Sequence, residues 1–269
     1  MPGSGPFANF ERDGFARVRD PRIADAKTRL RDALIEHAQF IAQRILPAGV
    51  FDDVPRDKGF DAFLDAVYAV ETDQAVTRAF YEVFPSLTPV IALIDLPVVR
   101  DLLAEAGLEK PVAGTLPLIR LDRPGDRRFA TPAHQDSWYS LMSPNAVTNW
   151  TPLCEMTDDM GPLRVVPGSH AGGVKPFKPY DSGHEWFEAS DVIPDERLVP
   201  IQVGHDEVLI FNQSLIHKSG LNASDRVRIS VQLRYNDLAT ADALTSTYTA
   251  SLSRYVLEQQ KARLDARNV

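Results

Sequence analysis

The spacing of hydrophobic residues changes about 110 residues into the chain. Over Asp25–Leu46 they recur at intervals of three and four, which places them on one side of a helix. Over Asp61–Gly107 the spacing is again helical, with three prolines that are expected to divide it into shorter helices. The pattern therefore predicts a helical N-terminal part over about residues 20–110.

Beyond about residue 112 the chain shows short alternating or wholly apolar runs separated by turn residues. Such runs, without helical spacing between them, indicate an antiparallel sandwich or barrel. No repeat, low-complexity tract or linker divides the chain, so we predict one domain over residues 1–269. It would have a mostly β core over about 112–236 and a closing helix, Ser251–Asp265, over about 250–265. The predicted strands are Gly14–Val18, Gly114–Leu121, Ala146–Leu153, Leu163–Pro167, Leu198–Val203, Glu207–Asn212 and Arg226–Tyr235.

The last predicted strand separates its residues by polarity with a strict period of two. Valine, isoleucine and leucine occupy one face, while arginine, serine and glutamine occupy the other. In a half-exposed strand the polar face would meet water, which is the commoner arrangement. A barrel that binds a polar ligand has the opposite arrangement, with the polar face lining its interior. This polar face consists of Arg228, Ser230, Gln232 and Arg234.

Composition narrows the range of partners. Lys and Arg total 29 against 37 Asp and Glu, which gives a formal net charge of -8. Such a balance argues against nucleic acid and against an anionic membrane as partners. No apolar run is long enough to cross a bilayer, and the N-terminus lacks the pattern of a signal peptide. The single cysteine, Cys154, cannot form an internal disulfide, which fits a reducing compartment, so we expect a cytoplasmic protein.

The segment Thr131-Pro-Ala-His134-Gln-Asp136 contains the first candidate chemistry. Residues two apart on an extended strand face the same way, so His134 and Asp136 can converge on one point. One imidazole and one carboxylate are two of the three ligands that non-heme Fe(II) oxygenases use. His217, just past an apolar strand, is the best candidate for the third because functional residues are often displayed in such turns. Taken alone, His217 could also be an ordinary turn histidine.

Three motifs and one arginine occur in a fixed order along the chain. They are His134-Gln-Asp136, the segment Gly161-Pro-Leu-Arg-Val-Val-Pro-Gly-Ser-His170, the segment His217-Lys-Ser-Gly-Leu-Asn222, and Arg228. In order, spacing and the Pro-Gly-Ser-His turn they resemble the phytanoyl-CoA dioxygenase-like family of Fe(II)/2-oxoglutarate-dependent oxygenases. The similarity covers about Val112–Tyr235. It implies a double-stranded β-helix (jelly-roll, cupin-like) core with flanking helices, the N-terminal ones packed outside.

The resemblance implies that His134, Asp136 and His217 bind iron(II), with 2-oxoglutarate and dioxygen as cosubstrates. The expected reaction is hydroxylation of a substrate C–H bond with release of succinate and carbon dioxide. Relatives that halogenate have a small residue in place of the aspartate. The carboxylate of Asp136 therefore favours hydroxylation, or a desaturation or ring closure, over halogenation.

The resemblance also implies roles for the residues around the metal. Arg228 would bind the distal carboxylate of 2-oxoglutarate through its planar fork, with Ser230 beside it as a hydroxyl donor. Trp150 and Thr131 would face the cosubstrate, although a core position is about as common for such a tryptophan. Substrate candidates flank these positions or share a face with them, and each could equally support a metal ligand. They are Gln135, Tyr139, Asn149 and Arg234.

The other histidines have more ordinary explanations. His170 follows a Pro-Gly turn and is expected to make structural hydrogen bonds. His205 stands two residues before Glu207, but relatives commonly have an acidic residue where this strand opens. His37 has no second ligand at helical spacing, and His184 falls in a polar insertion.

Two other functions are compatible with the sequence. A cupin-like isomerase or hydrolase could use zinc or manganese in a similar barrel and would not need Arg228. A barrel could also bind a metal or another ligand without turnover. In each case we expect Phe60–Gly107 and Lys175–Pro194 to form the walls and lid of the site.

Overall fold

The computed structural model describes residues 5–114, 116–127, 130–140, 143–181 and 185–240. The predicted closing helix, Ser251–Asp265, and His184 lie outside these residues. Within the described part of the chain, no helix combines the length and apolar character that crossing a membrane requires.

The longest helix begins earlier than the hydrophobic pattern over Asp25–Leu46 indicates. It starts at Pro21 because the Asp20 side chain accepts a hydrogen bond from the backbone N–H of Arg22, and proline suits the first helical position. It ends at Ile45, shortly before Pro47. The described α-helices are α1 Phe10–Asp13, α2 Pro21–Ile45, α3 Ala48–Asp52, α4 Phe60–Val70, α5 Ala75–Val83, α6 Thr88–Ile91, α7 Pro97–Glu105 and α8 Ser137–Ser140.

Two of the predicted strands differ most from those in the structure. The run Gly114–Leu121 becomes a strand only from Leu118, and a separate short strand, Pro111–Ala113, ends just before the run. The run Leu198–Val203 keeps only two strand residues, since Pro200 has no N–H to donate. The described strands are β1 Phe15–Arg19, β2 Pro111–Ala113, β3 Leu118–Asp122, β4 Val147–Pro152, β5 Leu163–Val165, β6 Phe177–Asp181, β7 Glu185–Ala189, β8 Val199–Pro200, β9 Glu207–Asn212, β10 His217–Ser219 and β11 Arg228–Asp237.

The strands form two antiparallel sheets and a hairpin. The large sheet has the order β1-β9-β4-β11-β2, and β3 also pairs with β11. The small sheet has the order β10-β5-β8, and β6 pairs with β7 in the hairpin. A backbone bridge between His134 and His217 adds the segment before α8 to the edge of β10.

The two faces of β11 have different surroundings. Its apolar side chains, such as Ile229 and Leu233, belong to a buried cluster with helix residues such as Leu34 and Phe63. Its polar face is turned toward the small sheet, where Arg228 donates to backbone carbonyls. Of the two arrangements compatible with the alternation, the structure therefore shows the one with a polar interior.

A second apolar cluster joins the two sheets. Trp150 and Phe211 of the large sheet pack with Leu163 and Val165 of the small sheet and with Leu215. The sheets therefore lie face to face, and the polar face of β11 is directed into the space between them.

Candidate metal centre

The side chains of His134, Asp136 and His217 meet between the two sheets. One ligand atom from each lies within 4.8 Å of the others, and all three residues are buried. Two backbone hydrogen bonds of 2.9 Å, one in each direction, join His134 to His217. These bonds hold the two imidazole rings 4.2 Å apart, centroid to centroid.

In both His134 and His217, a backbone carbonyl accepts a hydrogen bond from Nδ1 and fixes the orientation of the ring. Nδ1 of His134 lies 2.8 Å from the oxygen of Pro132, and Nδ1 of His217 lies 3.0 Å from the oxygen of Leu215. Because a carbonyl can only accept, each Nδ1 carries the proton. Each Nε2 then presents a lone pair, and Nε2 of His134 is 3.9 Å from Oδ1 of Asp136.

Both oxygens of Asp136 accept hydrogen bonds. The hydroxyl of Thr148 donates to Oδ2 at 2.6 Å, and Nη2 of Arg234 donates to Oδ1 at 2.7 Å. Burial alone would raise the pKa of Asp136, but the adjacent guanidinium holds it well below its usual range. Burial also lowers the pKa of His134 to about 3 and lowers that of His217. Two neutral imidazoles and one carboxylate are the protonation states that bind a divalent cation.

The deep end of the interior holds a second charged cluster, formed by Arg120, Asp122 and Arg228. Arg228 donates from Nε to Oδ2 of Asp122 at 2.9 Å and from Nη2 to the same oxygen. Its Nη1 donates to the backbone carbonyls of Met160, Gly161 and Gly220. Arg120 donates to the other carboxylate oxygen of Asp122, from Nε at 3.1 Å and Nη2 at 2.9 Å. In this structure the predicted cosubstrate anchor is therefore bound by protein groups, and one carboxylate serves two guanidiniums.

The chain's family follows from its sequence as a whole. A sequence model of the phytanoyl-CoA dioxygenase (PhyH) family matches residues 10–230. The chain belongs to the phytanoyl-CoA dioxygenase family. The match confirms the resemblance on which the predicted metal ligands rested.

Curated members of the phytanoyl-CoA dioxygenase family are distant in sequence. The 1-deoxypentalenic acid 11-beta-hydroxylase of Streptomyces exfoliatus is 30% identical over 102 residues, 36% of each chain. A probable phytanoyl-CoA dioxygenase of Caenorhabditis elegans is 26% identical over 178 residues, 62% of this chain and 56% of the relative. This chain thus spans between about a third and somewhat more than half of the length of these relatives.

A solved structure of similar fold is the apo form of the non-heme monooxygenase ThoJ. It has a TM-score of 0.56 and 18% sequence identity, and the match covers 85% of this chain and 76% of that one. At this identity the similarity establishes the fold.

Ser219 and Thr131 lie together near the family's metal motif. Their hydroxyl oxygens are 2.9 Å apart, and the backbone N–H of Ser219 donates to the hydroxyl of Thr131. Ser219 lies two residues after His217 and shares its face of β10, a relation visible in the sequence but not used in the prediction. The predicted hydroxyl donor, Ser230, lies opposite Arg120 in the pairing of β11 with β3.

Gln135, a predicted substrate residue, has its amide hydrogen-bonded to the backbone in this structure. Its side chain is fully buried, and Nε2 donates to the backbone carbonyls of Gly173 and Ser214. Its Oε1 accepts from the backbone N–H of Lys175 at 2.7 Å. Gln135 therefore ties the metal motif to the segment that leads into β6.

Asn149, another predicted substrate residue, lies on the face of the large sheet opposite to the candidate metal ligands. Asn149 pairs with Leu233, which packs against the helices, and it lines the space between the large sheet and α2 and α7. Since neighbours on a strand point to opposite faces, the interior receives Thr148 and Trp150 instead. Trp150 is buried in the apolar cluster between the sheets, as expected of a core aromatic.

Tyr139 and Arg234 are the two predicted substrate residues that the structure places beside the candidate metal ligands. The ring of Tyr139 lies edge-on to that of His134, with centroids 6.2 Å apart. Arg234 contacts Asp136 directly. Thr148, which faces Arg234 across the strand pair, has no local sequence signal other than its shared face with Trp150.

The substitution Thr148→Val should weaken metal binding by about tenfold or more, because it keeps the shape of the side chain and removes a hydrogen bond to a ligand. Titration of Ni²⁺ by calorimetry measures this affinity. The control is Thr151→Val on the same strand, whose hydroxyl donates to Asn149 and not to a ligand. Equal Ni²⁺ affinity of the two variants would contradict the assigned role of Thr148.

His170 and Glu207 have the structural roles predicted for them. Nε2 of His170 lies 3.1 Å from the backbone oxygen of Glu11, and its ring packs on Gly14. Glu207 is buried, and its carboxylate accepts from the backbone N–H of Gly204 at 2.8 Å. His205 is exposed.

Gly14→Ala should be more destabilising than Gly107→Ala. Both glycines have a positive φ, +81 and +88 degrees, so both alanines are strained. Only at position 14 would the new Cβ also meet a side chain, at 2.4 Å from Nδ1 of His170. The extra loss should be about 1–3 kcal/mol in the free energy of unfolding, measured by urea denaturation. An equal loss of unfolding free energy in both variants would contradict this prediction, because it would show that the His170 ring can move aside without destabilising the protein.

Proposed function

We propose that this protein is an Fe(II)/2-oxoglutarate-dependent dioxygenase that hydroxylates a C–H bond of a small molecule and releases succinate and carbon dioxide. The observation that carries the proposal is the buried set of two imidazoles and one carboxylate within 4.8 Å. Such a set leaves part of the coordination sphere open to other ligands. The relative from Streptomyces exfoliatus is named as a hydroxylase, which supports the reaction class.

The donor set of this site fits iron(II). When bound, the iron ion and 2-oxoglutarate supply the oxidising chemistry that breaks the C–H bond. His134 and His217 would bind through Nε2, because their Nδ1 atoms donate to backbone carbonyls. Asp136 would bind through a carboxylate that Thr148 and Arg234 hold in place. Burial of all three ligands keeps water away from the reacting atoms.

We place the distal carboxylate of 2-oxoglutarate at the cluster of Arg120, Asp122 and Arg228. Two buried guanidiniums share one carboxylate there, and a second carboxylate would improve the balance of charge. Arg228 would exchange neutral carbonyl acceptors for a charged one, which forms a stronger hydrogen bond. Ser219 and Ser230 are the candidate hydroxyl donors, and Thr131 supports Ser219.

The strand order supports a double-stranded β-helix. Segments of the core alternate between the sheets, from β3 in the large one to the His134 segment and then β4, continue through β5 and β8 in the small sheet, and alternate again through β9, β10 and β11. This alternation is the chain path expected of a jelly roll. The helices share one apolar cluster with the large sheet, so we propose a single oxygenase domain.

Succinate formation tests the proposal. Purified protein with iron(II), ascorbate and 2-oxoglutarate should release succinate when a metabolite extract is added, and one metabolite should gain the mass of an oxygen atom. The matched control omits 2-oxoglutarate. Product formation with zinc or manganese and without succinate would contradict the proposal and favour a cupin-like isomerase or hydrolase.

A further inference from the structure

Arg234 is a second cationic group at the metal site, separate from Arg228. The two arginines lie on the same face of β11, six residues or about 20 Å apart along the strand. Arg228 is bound to Asp122, whereas Arg234 contacts the metal ligand Asp136. The two guanidiniums are therefore too far apart to hold one and the same carboxylate.

The hydrogen bonds of Arg234 are incomplete. Its Nη2 donates to Oδ1 of Asp136 at 2.7 Å and to Oε1 of Gln232 at 3.3 Å. Its Nε is buried and has no hydrogen-bond partner. Burying a guanidinium N–H without an acceptor is unfavourable, and a ligand that supplies one would remove that cost. The side chain keeps 14% of its surface exposed, so a ligand can reach the guanidinium, and a small rotation of the side chain would present Nε to it.

The missing acceptor is best supplied by an anion. A carboxylate accepts a charge-assisted hydrogen bond from a guanidinium, and such a bond is stronger than one to a neutral acceptor. Since Nε of Arg234 is a single donor, one carboxylate is sufficient.

We propose that the substrate is a monocarboxylic acid whose carboxylate accepts a hydrogen bond from Nε of Arg234, beside the metal. This inference rests on the proposed oxygenase function and adds the chemical class of the substrate. It gives Arg234 two partners, one a metal ligand and the other the substrate. The substrate's acid group would thus be tied to the same side chain that holds Asp136.

Pairs of acids and amides test the inference on protein loaded with Ni²⁺ and 2-oxoglutarate. The probes are butanoate, octanoate and benzoate with their primary amides, and calorimetry measures their binding. Wild-type protein should bind at least one acid about tenfold or more tightly than its amide, because a charge-assisted hydrogen bond is lost in the amide. Arg234→Gln should abolish this preference. Arg100→Gln, at an arginine that is 58% exposed on α7, should retain it.

Arg234→Gln could lose its preference for acids because the metal site is lost. Arg234→Lys is the variant that separates these two effects. Lysine keeps the positive charge beside Asp136, so Arg234→Lys should bind Ni²⁺ more tightly than Arg234→Gln and show a reduced preference for acids. Equal binding of acids and amides by wild-type protein would overturn the inference, and so would a preference that survives Arg234→Gln. If wild-type protein fails to bind 2-oxoglutarate in the presence of Ni²⁺, the proposed oxygenase function itself fails. If it binds 2-oxoglutarate without preferring acids, only the substrate class is wrong.

Discussion

His217→Ala should lose metal binding and, with it, all succinate formation. The substitution removes one of three ligands, so the loss of affinity should exceed the ~10–100-fold that follows loss of an outer hydrogen-bond partner. The remaining pair, His134 and Asp136, comes from one short segment and holds an ion on one side only. Calorimetry with Ni²⁺ and a succinate assay with iron(II) measure the two effects.

His205→Ala is the matched control for His217→Ala. His205 also lies two residues from a carboxylate in sequence, but it is exposed and Glu207 binds the backbone of Gly204. This variant should bind Ni²⁺ and form succinate like the wild type. Equal losses in both variants, or full Ni²⁺ affinity in His217→Ala, would contradict the assignment of the third ligand.

Arg228→Met should weaken 2-oxoglutarate binding strongly while leaving the metal site intact. Removing one partner of a buried charged pair costs ~2 kcal/mol or more, which corresponds to about 30-fold or more in the dissociation constant. Ni²⁺ affinity should remain unchanged because Arg228 donates to Asp122 and to backbone carbonyls and not to the three candidate metal ligands. Calorimetry with 2-oxoglutarate in the presence of Ni²⁺ measures the effect.

A loss of folding must be separated from a loss of binding in Arg228→Met. Arg120 still compensates Asp122 in this variant, so the free energy of unfolding should fall by less than the ~3–5 kcal/mol seen when a buried charge loses its partner. Arg226→Met, two residues earlier in the chain, is the control. A folded Arg228→Met protein with wild-type affinity for 2-oxoglutarate would move the anchor to another residue, with Arg120 the first to test.

Local periodicity was sufficient for the elements whose surroundings are regular. The helix Pro21–Ile45 and the strand Arg228–Asp237 were both indicated by the spacing of their apolar residues. Their ends depend on single residues, since Asp20 extends the helix by capping it and Pro200 shortens another strand. A hydrophobic pattern carries little information about such ends.

Alternation assigns residues to two faces but does not say which face holds the site. Asn149 is predicted to be a pocket residue because it stands next to Trp150 in the sequence. The structure turns Trp150 inward, and Asn149 must then face the helices. One known contact of a β4 residue, such as the hydrogen bond from Thr148 to Asp136, is enough to show which residues of β4 face the site.

Contacts between distant parts of the chain were outside the reach of the sequence pattern. Asp122 and Arg228 are 106 residues apart, and Asp136 and Arg234 are 98 apart. No local sequence rule predicts that Asp122 will bind Arg228, the residue expected to bind the cosubstrate. The partners of Gln135 were equally unpredictable, because its buried amide binds backbone groups of residues distant in sequence, such as Gly173 and Lys175.

The most direct test of a shared metal and cosubstrate site is a binding experiment without oxygen. Iron(II) is added to the protein anaerobically, and 2-oxoglutarate is then titrated while the visible absorption is recorded. We predict a charge-transfer band that grows to one equivalent of 2-oxoglutarate and is absent in His217→Ala. A wild-type protein that shows no band, or that binds 2-oxoglutarate equally well without metal, would contradict the account.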